Sequence, residues 1–344
     1  MAYTTINKSS LNMNTKLYTG TGSSNSVTGV GFKPDWTWIK NRDQADEHNV
    51  YDVVRGATKR LITNDSTVEG TQSNGLSAFG SDGFTVVDSN ATNISNEKYA
   101  AWNWKAGTSF SNSAGANGAS IASTGSINTT AGFSIISYTG SGSNATVAHG
   151  LGVAPKMIIV KNRQGSNSWR VAHDSIGWNK SIFLDNTNAA QTEAYFNNTA
   201  PTSQVFYIGT DGGTNGNNNN IIAYCFADKQ GYSKLSSYKG NGNADGTLVY
   251  TGFKPAFVII KRTSSGGDDW VMYDNKRNTF NVLDKRLNPN SNGAEQDTDI
   301  LDFLSNGFKL RGTPDYVNGN GSTYIYMAFG QTLVGTNNIP ANAR

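Results

Sequence analysis

Acid–base, metal or nucleophile chemistry in this 344-residue chain would have to come from three histidines, five glutamates, one cysteine and a set of aspartates in a recurring context. His48, His149 and His173 share no short spacing of the kind that places two imidazoles on one metal. Asp52, Asp174 and Asp274 each follow a ring, as Tyr51-Asp, His173-Asp and Tyr273-Asp. Calcium would need further oxygens at regular short spacing, whereas a strand-end acid needs one donor. Arginines offer that donor: Arg42, Arg163 and Arg262 recur upstream, and Arg55 and Arg277 follow their aspartates by three. His173 aligns with Tyr51 and Tyr273, which a catalytic base would not, and His149 lies in a Gly-flanked turn. Glu47, Glu69, Glu97, Glu193 and Glu295 fall in non-equivalent loops, so no carboxylate pair for glycan hydrolysis stands out. Phosphate-loop, dinucleotide and nucleophile-elbow motifs are absent. Cys225 reads as a small buried apolar side chain. The expectation is a non-enzyme with no catalytic, cofactor or metal site.

The elements that carry these residues repeat. "VGFKPDWTWIKNR" returns as "LGVAPKMIIVKNR" and as "TGFKPAFVIIKR", with Pro34, Pro155 and Pro255 at the start of each strand and Lys40, Lys161 and Lys261 at its end. A Tyr-x-Gly stands upstream at Tyr18, Tyr138 and Tyr238, and an alternating apolar strand closes each unit at Trp104, Phe226 and Phe329. The prolines are 121 and 100 residues apart. A period of this size exceeds the roughly 20–50 residues of solenoid and propeller repeats and suits a small sandwich. The expected fold is all-β: three tandem homologous β-sandwich units, jelly-roll-like, each of roughly 90 residues. A six-bladed propeller competes, but no half-period is visible within a unit. Short runs rich in Val, Ile, Trp, Tyr and Phe between Gly/Asn/Ser clusters agree with strands and turns. "MIIVK" and "FVIIK" are continuous apolar runs, as for strands covered on both faces.

The expected boundaries are an N-terminal arm, 1–16; unit one, 17–104; a flexible Gly/Ser/Asn-rich linker, 105–130; unit two, 131–229; unit three, 230–331; and an extended tail, 332–344. Net charge is +3 with the charges scattered, which argues against nucleic-acid binding. No apolar run approaches the roughly 20 residues of a membrane helix, and the start lacks the features of a signal peptide, so the chain is expected to be made in the cytoplasm without membrane insertion. A lone cysteine rules out an internal disulfide framework.

The phrases "YTGTGSSNSVTGVGFKPDWTWIKNR", "NTTAGFSIISYTGSGSNATVAHGLGVAPKMIIVKNR" and "LVGTNNIPANAR" give the whole chain a resemblance to a family of virion structural, tail-fibre-like appendage proteins from tailed phages of marine bacteria. The resemblance implies a virion component, oligomeric and most simply a trimer, in contact with other virion proteins. Two roles follow: attachment to a host-surface glycan, or decoration of a capsid or tail; a glycan depolymerase is a distant third. Attachment would use exposed loop aromatics as stacking platforms, with Trp178, Tyr195 and Tyr316 as candidates. Both ends of the chain are expected to lie outside the compact units and to contact a neighbour.

Overall fold

The computed structural model describes residues 4–332. Among them helices are single turns, such as Asn90–Asn93, Gly212–Asn215 and Asp315–Asn318, and antiparallel strands form the rest of the regular structure. This follows from the sequence: glycine, asparagine and β-branched residues disfavour helix interiors.

The strands build three sandwiches. In the first, a sheet ordered Met13–Thr19, Lys98–Trp104, Trp36–Asn41, Asn49–Asp52, Gly56–Ile62, Gly70–Thr71 packs on a sheet ordered Asn25–Thr28, Gly83–Val86, Leu76–Gly80. In the third, Ser233–Lys239, Thr323–Thr332, Phe253–Arg262 and Val271–Asp274 pack on Leu248–Tyr250, Gly307–Leu310, Gln296–Leu304 and Leu283–Arg286. The second has an eight-stranded sheet centred on Phe133–Thr139, Asn220–Phe226, Met157–Asn162 and Arg170–His173, which packs on Ala145–Ala148 paired with Val205–Ile208. In each, the Tyr-x-Gly strand pairs with the closing strand, which also pairs with the Pro-to-Lys strand.

The ladders fix which residues correspond. Trp36 lies opposite Trp104 and Asp52, Met157 opposite Phe226 and His173, and Phe257 opposite Phe329 and Asp274. Pro34, Pro155 and Pro255, two residues earlier, are all buried. Because side chains alternate along a strand, Trp38, Ile159 and Ile259 point one way into a cluster shared by all three sandwiches. Ile39, Ile158 and Val258 point the other way, each into the core of its own sandwich. Both faces of each central sheet are therefore covered, which is why these strands read as unbroken apolar runs.

Two expected boundaries are corrected. Residues 4–16 are not a free arm: Met13 opens a strand of the first sheet, Ile6 and Met13 are buried in the shared cluster, and Ser9 bonds Gln331. The segment 105–130 is not a flexible linker, because Thr108–Asn112 and Ser123–Asn128 pair with each other and extend the second sheet beyond Phe133–Thr139. Its Phe110, Ile121 and Ile127 supply the apolar anchors that its Gly and Ser content hid. The tail expected at 332–344 lies outside the described residues except for Thr332, which ends a strand.

Candidate functional site: the junctions between sandwiches

The Tyr-x-Gly signature acquires a cause in the structure. The hydroxyls of Tyr18, Tyr138 and Tyr238 donate to the backbone oxygens of Thr92, Thr214 and Val317 in the short helices. A Cβ on Gly20, Gly140 or Gly240 would meet a backbone oxygen at 2.0, 2.2 or 2.4 Å, so no larger residue fits. Each helix ends in an asparagine that sequence reading missed. Asn93, Asn215 and Asn318 are buried and donate to two loop carbonyls each, while their Oδ1 atoms accept from the backbone of Thr21, Ser141 and Asn241. All three stand eleven residues before the closing aromatic, a spacing that a search for recurring polar residues would have found.

Between sandwiches the polar residues form chains. At the first junction Arg163 of the second sandwich grips Glu69 of the first at 2.8 and 2.9 Å. Glu69 also meets Arg55, Arg55 pairs with Asp52, and Asp52 accepts the hydroxyl of Tyr224 from the second sandwich at 2.7 Å. The junction of the third sandwich with the first repeats the order as Arg42, Glu295, Arg277, Asp274 and Trp102, the indole donating at 3.0 Å. The side chains of Arg55, Asp52, Arg277 and Asp274 have no exposure to solvent. Burial pushes the carboxyl of Asp274 up, but Arg277 and the hydrogen bonds around it hold it below its usual range, and Asp274 and Glu295 raise the guanidinium of Arg277.

The junction of the second and third sandwiches departs from this at every place. The backbone bond from Glu69 to Arg163 and from Glu295 to Arg42 has its counterpart in Ala190 to Thr263. Ladder register puts His173 where the others have Asp52 and Asp274, and Met327 where they have Tyr224 and Trp102, and Ile176 follows His173 by three residues as Arg55 and Arg277 follow their aspartates. The five-membered chain is thus Thr263, Ala190, Ile176, His173, Met327, without a formal charge at neutral pH. Removing one member alone would strand a buried charge, so the substitutions make physical sense only together. A recess of about 380 Å³ opens beside Ile176, Ala190 and Thr263.

These contacts correct four expectations. Asp174 is not the counterpart of Asp52 and Asp274: it lies one residue beyond that place, exposed, paired with Lys156 at 2.6 Å and accepting from Trp178. Arg262 is not the counterpart of Arg42 and Arg163; it pairs with Asp268 and Asp315 inside its own sandwich. Glu69 and Glu295 are equivalent, not scattered. His173 holds the place of an aspartate and imitates it, Nδ1 accepting the backbone N–H of Ser175 as Asp52 accepts that of Val54. The recurring lysines are buried, and two of them, Lys161 and Lys261, reach across a junction. Lys161 donates to the carbonyls of Ser66 and Asn167, Lys261 to those of Thr187 and Asp268, and Lys40 to those of Asn41 and Gln44. Burial draws all three ammonium groups down to about 8.

The candidate loop aromatics do not form an exposed platform. Trp178 is 9% exposed within the second sandwich core. Tyr195 is half-buried beneath Arg170, whose guanidinium lies 4.4 Å from its ring centre, and Tyr316 is half-buried beneath Arg286 at 4.5 Å. Among the described residues, Tyr250 and Phe280, 63% and 77% exposed, are the rings that do face solvent.

All three histidines are buried. Burial pushes His149 and His173 down to about 4, and His48 well below its ordinary value. The unfolded chain then binds more protons than the folded one between about 4 and 6.5, so stability is full above pH 6.5 and falls as pH drops through that window. Each histidine adds a slope of about 1.4 kcal/mol per pH unit. Denaturant melts at pH 7, 6, 5 and 4 should show this decline, and His149→Gln should flatten it by one histidine's share; an unchanged slope in the variant would contradict the assignment.

Among the described residues no cluster of three or more His, Cys, Asp or Glu is placed to hold a metal ion, and no helix is long and apolar enough to cross a membrane. The class these observations define is a multi-sandwich β protein whose recurring polar residues join its sandwiches. The chain belongs to the family described as Domain of unknown function (DUF7483), whose model matches residues 8–332. That span takes in all three sandwiches as one unit, in keeping with the cluster and junctions they share. No curated protein matches the chain. Among solved structures, the crystal structure of the major capsid protein P2 from Bacteriophage PM2 aligns over 58% of this chain and 96% of that one, at 12% identity and a TM-score of 0.19.

Proposed function

We propose that the chain is a non-enzymatic structural component of a phage particle, built of three tandem homologous copies of one sandwich and decorating a capsid, tail or appendage. The observation that carries the reading is the use made of the polar residues that recur. Asp52, Asp274, Glu69, Glu295, Lys161 and Lys261 are consumed in contacts between sandwiches, and Arg55 and Arg277 in pairing with those acids, as suits a rigid block rather than a reacting centre. The sequence resemblance to tail-fibre-like virion proteins supplies the setting. Host attachment through Trp178, Tyr195 and Tyr316 is the weaker form of the proposal, since those rings are covered. Assembly into a homo-oligomer, a trimer first, belongs to the same reading; its contacts would lie on outer surfaces, because the inner faces already cover one another within one chain.

Mass spectrometry of gradient-purified particles, with immunogold labelling, tests this. The expected result is the chain in the particle band in constant ratio to the shell protein, with label on shell or tail. Finding it solely in the soluble lysate would sink the proposal, and turnover of polysaccharide by the purified chain would defeat the non-enzymatic part.

A further inference from the structure

The recess at the junction of the second and third sandwiches lies where the two corresponding junctions are filled by a glutamate between two arginines. Ala190 removes the carboxylate, and Thr263 and Ile176 remove both guanidiniums. One cation remains at its edge. Lys180 corresponds by register to Lys59 and Lys285: it pairs with Thr192 as Lys59 pairs with Thr71 and Lys285 with Asp297. Lys59 bonds the hydroxyl of Thr71 and Lys285 the carboxylate of Asp297. Lys180 has no ion pair or side-chain hydrogen bond among the described residues, although it lines the recess and is half-buried.

The rest of the lining is rich in hydroxyls. Ser175 and Ser237 are exposed, and their hydroxyls bond nothing among the described residues; Ser264 accepts from the backbone of Thr323 and keeps its O–H free to donate. Thr263 donates its backbone N–H and its hydroxyl to the carbonyl of Thr323, and the two hydroxyls lie 3.0 Å apart. Ile176 and Ile325 give one apolar wall. A volume of about 380 Å³ falls within the range of small-molecule sites, roughly 300–1,000 Å³, and those sites combine an apolar wall with a few polar groups that fix orientation.

We propose that this recess binds a small carboxylate-bearing polyol, of the size of one acidic monosaccharide, with its carboxylate on Lys180, its hydroxyls on Ser175, Ser237 and Ser264, and its C–H face against Ile176 and Ile325. The ligand carboxylate then supplies the acid that Glu69 and Glu295 provide at the other junctions. A neutral sugar lacks the charge-assisted bond, and a simple aliphatic acid leaves the hydroxyls unmatched.

The inference does not depend on the particle reading, since its test uses the isolated full chain. D-glucuronate is titrated against it at low salt and followed by amide chemical shifts. Saturable binding in the millimolar range is expected, with D-glucose at least about tenfold weaker. Lys180→Met should weaken glucuronate by about tenfold or more, and Ala190→Glu, which fills the recess with the carboxylate found at the other junctions, should abolish binding in a variant that stays folded, with a lower melting temperature because Ile176 and Thr263 offer that carboxylate no guanidinium. No saturable shift for the wild type up to tens of millimolar overturns the proposal. So does equal binding of glucose and glucuronate, or glucuronate binding that survives Ala190→Glu in a folded variant.

Discussion

Replacing Asp52 by alanine should lower the unfolding free energy by about 3–5 kcal/mol, the cost of breaking a buried ion pair from one side. Arg55 would keep its charge, with no solvent exposure and only Glu69 left as a carboxylate partner. The hydroxyl of Tyr224 would lose its acceptor as well. Asp274→Ala should cost a similar amount, through Arg277 and Trp102. Glu69→Gln should cost less, because Arg163 at the outer end of the chain is 18% exposed and water can reach it. The third junction supplies the contrast. Converting Arg163, Glu69, Arg55 and Asp52 together to Thr, Ala, Ile and His copies a neutral set already present in this protein, so the fourfold variant should lose less than the sum of its single changes. Urea melts of the singles and the fourfold variant measure this directly. Losses that simply add would show that the chain is not one electrostatic unit.

Ile159→Ala should cost about 2–5 kcal/mol, as other large-to-small core changes do, although residue 159 lies on an inner face shared by all three sandwiches. Its neighbours in that cluster come from every part of the chain and include Trp36, Trp169, Tyr224 and Phe257. Collapse around the missing atoms would have to move three sheets at once, which places the expected loss in the upper half of that range. Ile259→Ala and Trp38→Ala should behave alike. A shift in denaturant midpoint at constant m-value is the measurement, and an unchanged midpoint for Ile159→Ala would count against a shared cluster.

The strand from Pro to Lys was legible because two facing layers of apolar partners leave a continuous apolar run, and local physics dictates that pattern. The junction chains were not. Asp52 and Tyr224 are 172 residues apart, and no periodic signal links a donor in one sandwich to an acceptor in another. Two misreadings have one cause. Lys40 and Lys161 are followed by Asn-Arg, but Lys261 by Arg alone, so matching arginine to arginine slips the register by one. His173-Asp174 invites the same slip, since a ring followed by an acid looks like Tyr51-Asp52. A slip of one residue sends a side chain to the opposite face of the sheet, so composition matched while geometry did not. The segment 105–130 misled for another reason: Phe110, Ile121 and Ile127 are too sparse among Gly and Ser to register as strands until a neighbouring edge is present to pair with.

The junction between the first and third sandwiches sets an order of events during folding. Arg42 and Glu295 are separated by 253 positions, so their bond waits for the third sandwich to be made. The equilibrium penalty is small, because loop-closure cost rises only by about 0.6 kcal/mol for each doubling of length. The kinetic penalty is not, since contacts between distant residues form slowly and hydrophobic surface stays open meanwhile. Trp102 and Trp104 pack against Phe257 and Phe329, which leave the ribosome last of these four. A nascent chain therefore carries Trp102 and Trp104, packed on Trp38 and Trp36 but uncovered on the side of the third sandwich, until Phe257 and Phe329 have been made, and that interval is when it is most exposed to aggregation.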